Sequence, residues 1–230
     1  MDDSALHDFI IYRCVIGSRA QGLDRDDSDT DRRGIYLPPA RLHWSLNGVP
    51  EQLENPQTQE CYWELGKFIR LALKANPTIL ETLWTPLVER ADPVAVTLRT
   101  HRAIFLSKLA YDSFNGYALT HFRKVEDDFR RSGRVRWKRA MHVIRILQAG
   151  VEVITTGELP VRVDARRDEL LAIRDGRLSW DEVDSLRLRL HAELEQALVR
   201  SPLPEHPDHE RADAMLVAAR AAMAAKETTT

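Results

Sequence analysis

The stretch from Phe9 to Leu37 constrains the fold of this chain more than any other. Phe9 to Ile16 (FIIYRCVI) is rich in β-branched and aromatic residues and stops at Gly17, the pattern of a buried strand. Residues 17–28 are polar and turn-like. Asp31 to Leu37 (DRRGIYL) reads as a second strand, closed by Pro38-Pro39. Two strands joined by so short a polar connection pair side by side. Side chains alternate along a strand, so Asp29 and Asp31 share a face, with about 6–7 Å between them.

Each piece of this stretch suggests a chemistry. Gly17 lets the backbone approach a ligand closely, and Ser18 adds a hydroxyl beside the amides that leave the strand. Together they can cradle a triphosphate. Two carboxylates at the Asp29–Asp31 spacing suit two Mg²⁺ ions about 3.5–4 Å apart, bridged by phosphate oxygens. Alone, a Gly-Ser pair is a turn and an Asp-x-Asp pair is a solvated strand end. The ordered combination of strand, Gly-Ser, connector and Asp-x-Asp is what carries information. Gly17 and Gly22 superficially match a P-loop, but Leu23-Asp24 stands where Lys-Ser/Thr is required, which excludes that motif.

The rest of the chain divides by periodicity. Residues 40–58 read as irregular, and a short strand follows over Gln59 to Trp63. Leu65, Phe68, Ile69, Ala72 and Leu73 recur at helical spacing and predict an amphipathic helix over 64–75, with another over 77–84 begun by Asn76-Pro77. After Pro93 the strand signal vanishes. Trp137, Ala140, Met141, Ile144, Leu147, Val151 and Ile154 form one helical stripe. Ser179-Trp180-Asp181-Glu182 is a capping box, and an Ala-rich helix covers 208–225. The expected architecture is α+β: a small mixed β-sheet domain with flanking helices over 1–92, an all-α domain over 93–225, and a disordered tail over 226–230.

Composition sets limits on partners. Lys+Arg at 33 nearly balance Asp+Glu at 35, so the chain as a whole is no trap for nucleic acid and any such surface is a local patch. Cys14 and Cys61 have no second pair and sit in apolar runs, which fits buried small residues better than a zinc site or a disulfide. The acidic N-terminus lacks a signal-peptide pattern, and no apolar run nears the roughly 20 residues of a membrane helix. The expectation is a cytoplasmic protein with no membrane partner.

The motif resembles the signature of the DNA polymerase β superfamily of nucleotidyltransferases. Gly17 to Leu23, Ser28 to Pro39 and the run from Tyr62 to Thr78 are similar to a bacterial and phage subgroup usually described as predicted nucleotidyltransferases, some assigned to RNA repair. The resemblance implies that residues 1–92 are the catalytic domain, that Gly17 and Ser18 hold the β- and γ-phosphates, and that Asp29 and Asp31 ligate Mg²⁺ or Mn²⁺. It also implies a third catalytic carboxylate on a neighbouring strand. Glu60 and Glu64 share a strand face; Glu64 is preferred, although it can equally be an acid at a helix N-terminus, and Glu54 is an outsider.

Other residues have two readings each. Arg19 either contacts phosphate or pairs with Asp24, Asp26 or Asp27. Of Arg32 and Arg33, at most one faces the carboxylate pair. Lys138, His142 and Arg145 lie on one side of a helix away from its apolar stripe, and Arg130, Arg131, Arg134 and Arg136 extend the positive region. That side is either a solvated face or a surface that binds the nucleotide or an RNA backbone, with His142 donating a hydrogen bond. Tyr111, Phe114, Tyr117 and Phe122 read as core. The favoured expectation is NMP transfer from an NTP to an acceptor hydroxyl, an RNA 3′ end above others. The alternatives are a weakly active or inactive nucleotide- or RNA-binding regulatory relative and, third, a hydrolase. Base choice, acceptor and oligomeric state are not written in the motif.

Overall fold

The apolar run near the N-terminus forms β1 (Ile10–Ile16), buried at every position but Arg13. The structure, a computed structural model, describes residues 3–55 and 57–228. Next come α1 (Gly17–Gln21) and β2 (Asp31–Tyr36), which runs back antiparallel to β1 and pairs Ile16 with Asp31 and Cys14 with Arg33. Gly34 permits this close pairing, because a Cβ there would lie 1.9 Å from the Tyr12 carbonyl oxygen. After α2 (Ala40–His43) come β3 (Gln52–Asn55), β4 (Glu60–Glu64), α3 (Leu65–Leu73), α4 (Pro77–Trp84), β5 (Val88–Ala91) and α5 (Pro93–Thr100). The strands make one mixed sheet in the order β3-β4-β2-β1-β5, in which β2 and β4 are parallel and the other neighbours antiparallel.

Strand register sorts the side chains onto two faces. Asp31, Arg33 and Ile35 share one face with Cys14 and Tyr12 of β1 and with Cys61 and Trp63 of β4. α4 lies against this face: the Tyr12 hydroxyl donates to the Thr82 carbonyl at 2.7 Å. The opposite face carries Arg32, Gly34 and Tyr36 beside Glu60, Tyr62 and Glu64. Its core is Leu6, Ile10, Tyr36, Leu53 and Tyr62. Both cysteines are buried free thiols, and burial pushes Cys14 up to about 12 and Cys61 up to about 11. They act as small apolar fillers, as expected.

Residues 40–58, expected to be irregular, contain α2 and β3, and β5 is a further strand that the sequence pattern does not announce. Both strands are four-residue edges; β3 buries only Leu53, and β5 buries no residue. An edge strand with so little burial has no apolar alternation to read.

The remainder is helical: α6 (Leu109–Ser132), α7 (Trp137–Thr156), α8 (Arg167–Arg174), α9 (Trp180–Val199) and α10 (His209–Thr228). Contacts divide the chain into two units. The first takes in the segments through Leu73, Thr78–Phe105 and from Asp208 onward; the second holds Lys74–Pro77 and Leu106–Pro207. This differs from the sequence division at 92/93, chiefly because α10 packs against α2 and α3 of the first unit. An Ala-rich helix has little apolar asymmetry to reveal its partner. Of the tail expected over 226–230, residues 226–228 continue α10, and 229–230 lie outside the described residues.

In the second unit α7 is central. It packs against α6, α8 and α9, and its residues from Ala140 to Gly150 are buried except for half-buried His142. Phe114 and Phe122 of α6 are core, as the sequence predicts. The capping box forms: the Ser179 hydroxyl accepts from the Glu182 amide at 3.3 Å, while the Glu182 carboxylate accepts from the Ser179 amide at 2.7 Å. Among the described residues no helix is long and apolar enough to cross a membrane.

Candidate functional site

The β1–α1–β2 corner brings the Gly-Ser turn onto the second carboxylate. Gly17 has φ +71°, and a Cβ built on it would lie 2.6 Å from Asp31 Oδ2. A side chain there would be strained by the left-handed backbone and would collide with the carboxylate. Glycine is therefore required twice over. No side chain caps α1, so its first-turn amides are not spent on one. Ser18 is half-buried, and its carbonyl accepts from the Leu23 amide at 2.9 Å.

Arg19 takes the intramolecular course. Its Nη2 donates to the Ser28 carbonyl at 2.6 Å, and its Nη1 lies 4.0 Å from Asp24. It thus ties α1 to the connector that delivers Asp29. Gln21 and Glu81, which no sequence pattern singles out, are both buried; Gln21 Nε2 donates to Glu81 Oε2 at 3.4 Å and links α1 to α4. Such a contact spans 60 residues and leaves no local signal.

Asp29 is exposed and Asp31 half-buried. Arg33 shares the Asp31 face and brings Nη2 to 3.8 Å from that carboxylate. Arg32 points to the other face, where its Nε donates to both oxygens of Glu89 at 3.1 and 2.9 Å; that bonding raises the Arg32 pKa. One arginine of the two faces the pair, as strand alternation requires.

Neither Glu64 nor Glu60, the acids expected as a third carboxylate, shares the Asp31 face of the sheet. Glu64 pairs in register with Tyr36, at the far end of β2 from Asp31 and on the opposite face. It is 4% exposed, pairs with Arg220 at 3.0 Å and accepts from the Lys67 amide at 3.0 Å, so it caps α3 and anchors α10. Glu60 lies at the same sheet end as Asp31 but on the opposite face, where it accepts from the Tyr62 hydroxyl at 3.0 Å. Glu54 shares the Asp31 face but stands two strands away, about 10 Å at the usual strand spacing. On the Asp31 face β4 offers Cys61 and Trp63, neither of them an acid.

The basic side of α7 also differs from expectation. Lys138 is exposed, but Arg145 is 1% exposed and His142 is half-buried. The three do not form one outward stripe, because neighbouring helices enclose α7 on the side its apolar residues leave. Arg145 Nη2 lies 3.4 Å from His142 Nδ1, and Tyr117 Oη lies 3.4 Å from His142 Nε2. A guanidinium has only donors, so His142 Nδ1 accepts and Nε2 carries the proton, donating to Tyr117. Burial first, then the Arg145 and His121 charges, lower the His142 pKa to about 3.

A family model for the RNA repair pathway DNA polymerase beta family (RlaP) matches residues 4–218. The chain belongs to that family. It is also 31% identical over 160 residues to an uncharacterized protein, YcgL, of Bacillus subtilis (strain 168), across 66% of this chain. The match spans 58% of that relative's length. Membership in the RlaP family makes nucleotidyltransferase-like chemistry the class to test against the corner geometry.

A divalent metal is the group that RlaP membership implies, and the donors present can be weighed against it. Among the described residues no cluster of three or more His, Cys, Asp or Glu side chains is arranged to hold a metal. Two hard oxygen donors are close in sequence: Asp31 stands against the Gly17 turn, and Asp29 is exposed in the connector two residues before it, outside β2. Mg²⁺ is commonly held by one or two carboxylates together with substrate phosphates and water. The pair fits an ion that arrives with a nucleotide better than one held by protein alone.

Proposed function

We propose that the β1–α1–β2 corner transfers a nucleoside monophosphate from an NTP to an acceptor hydroxyl, an RNA 3′ end above others, with release of pyrophosphate. The observation that carries this reading is the contact between Gly17 and Asp31, which sets a backbone cradle against a carboxylate with no room for a side chain between them. In the reaction the acceptor oxygen bonds to the α-phosphorus and gives its proton to water, the bond from that phosphorus to the bridging oxygen breaks, and pyrophosphate leaves. The Gly17 and Ser18 backbone faces the β- and γ-phosphates. Asp29 and Asp31 would hold Mg²⁺, or Mn²⁺ in its place, and the ion would supply charge neutralisation at the phosphates. Arg33, on the same face, orients Asp31.

A second reading has its own observation. Glu60 and Glu64 both lie on the opposite face of the sheet, so neither is set beside the pair to take the acceptor proton. That favours a slow enzyme or a nucleotide- or RNA-binding regulatory relative. Incubation of the protein with Mg²⁺ and each labelled NTP, with and without RNA, separates the two. Label on RNA with equimolar pyrophosphate supports transfer, and Asp29→Asn and Asp31→Asn should each bring it to background. Nucleotide binding without pyrophosphate from any NTP establishes the binding relative instead.

A further inference from the structure

The burial of Arg145 and His142 leaves Lys138 as the exposed member of the α7 set, and its exposed cationic neighbours lie elsewhere. They belong to the end of α6 and the turn into α7. Arg123, Lys124, Arg130, Arg134 and Lys138 are all exposed, and none of them makes an ion pair among the described residues. Three further guanidinium groups, from Arg131, Arg136 and Arg139, converge on the single carboxylate of Asp128 at 3.6, 3.0 and 2.7 Å. One anion cannot neutralise three cations. Glu126 and Asp127 are the other acids of residues 123–139, so the hairpin keeps a marked positive surplus in a chain whose formal net charge is −2.

The helices beneath these charges are closely packed. α6 and α7 pack along one another, and Gly150 of α7 sits so close that a Cβ would lie 3.1 Å from Phe114 Cβ. Near the tip, Trp180 stacks between Phe122 and Phe129, with ring centroids at 5.3 and 5.7 Å. Arg187 lies over the Phe122 ring at 4.1 Å.

We propose that the α6–α7 hairpin tip docks the phosphate backbone of RNA. The charge surplus calls for a polyanion, and several exposed Lys and Arg without ion-pair partners on α6, the turn and the start of α7 suit the repeated charges of a nucleic-acid strand. The choice of RNA rests on the reading that an RNA end is the acceptor. The surface supplies attachment without sequence preference, which the acceptor site of a repair enzyme needs when the broken ends vary.

The test measures binding of a fluorescent single-stranded RNA with no NTP present, over a range of salt. Arg130→Gln/Arg134→Gln/Lys138→Gln should weaken binding at least about tenfold at 0.1 M salt and flatten the dependence of log K on log salt by about 2–3. Arg90→Gln/Arg200→Gln/Arg211→Gln, an equal charge change at exposed positions outside the hairpin, should cost less than about threefold by the same rule. Equal losses in the two variants overturn the proposal, as does a hairpin variant that binds like wild type. Displacement of RNA by polyglutamate at equal charge would also overturn it and make the surface one for acidic protein. Asp31→Asn should bind RNA as wild type does, so loss of transfer and loss of docking are read separately.

Discussion

Asp31 and Glu64 lie in adjacent parallel strands of one sheet, and each has the sequence surroundings of a metal-binding acid. Their situations are opposite. Asp31 opens β2, half-buried against the Gly17 turn, with Arg33 at 3.8 Å as its ion-pair partner. Glu64 closes β4 on the other face, 4% exposed and engaged by Arg220 and the Lys67 amide. Register alone separates them by five residues along the strand, about 16 Å at the usual rise. An acid becomes available for chemistry through its face and the partners that claim it, and neither is visible in the residue type.

The strongest break of this contrast is Gly17→Ala. The methyl must enter space held by Asp31 Oδ2 at 2.6 Å, on a backbone with φ +71°. Strain should destabilise the protein by about 1–2 kcal/mol. Displacement of Asp31 by a fraction of an ångström should lower the transfer rate on the order of 10²-fold. The measurement pairs pyrophosphate release with thermal denaturation. Full activity in the variant would show that Gly17 and Asp31 do not act at one centre.

Glu64→Ala should do the reverse. It leaves the Arg220 guanidinium and the first turn of α3 without their shared acceptor. Breaking a buried pair costs about 3–5 kcal/mol, and the partial exposure of Arg220 reduces that to about 2 kcal/mol. Transfer per folded molecule should stay within about twofold, since ordinary substitutions away from a site leave the transition state untouched. A variant that keeps its denaturation midpoint and loses activity would return Glu64 to the metal site.

How much of this was legible depended on distance along the chain. The β1–α1–β2 corner and the Ser179–Glu182 capping box are built from neighbours, so strand alternation, glycine and cap chemistry announce them locally. The surroundings of Glu64 leave no local signal, because its partner Arg220 lies 156 residues on. His142 and Arg145 were misread because the polar side of a helix is ordinarily outside, whereas α7 is enclosed by three helices. Their burial has a measurable consequence. The folded pKa of His142, about 3, lies below the unfolded value near 6.5, so the unfolded chain takes up a proton that the folded one refuses. Stability from this group is complete above pH 6.5 and declines as pH falls towards 3, by up to about 1 kcal/mol per pH unit. Denaturation midpoints of wild type and His142→Phe between pH 7.5 and 4.5 should converge as the pH drops; parallel curves would mean that His142 titrates like a surface histidine.

The smallest expected effect is the sharpest probe of the two-face assignment. Glu60 pairs in register with Arg32, one residue from Asp31, so it lies on the same face as Glu64 but shares the sheet end of the candidate site. Its single described bond is from the Tyr62 hydroxyl at 3.0 Å, and burial together with that carboxylate raises the Tyr62 pKa. Glu60→Gln keeps an oxygen acceptor for Tyr62 and removes the charge. Stability should change by less than about 0.5 kcal/mol, the range of substitutions that spare buried features. Transfer should stay within about twofold of wild type, because a strand side chain on the far face of the sheet is directed away from Asp31. A loss comparable to that of Asp31→Asn, at unchanged stability, would mean that Glu60 bends round the start of β4 to complete the metal site. In that case proximity to the strand end would outweigh the face, and the second reading of the function would lose its supporting observation.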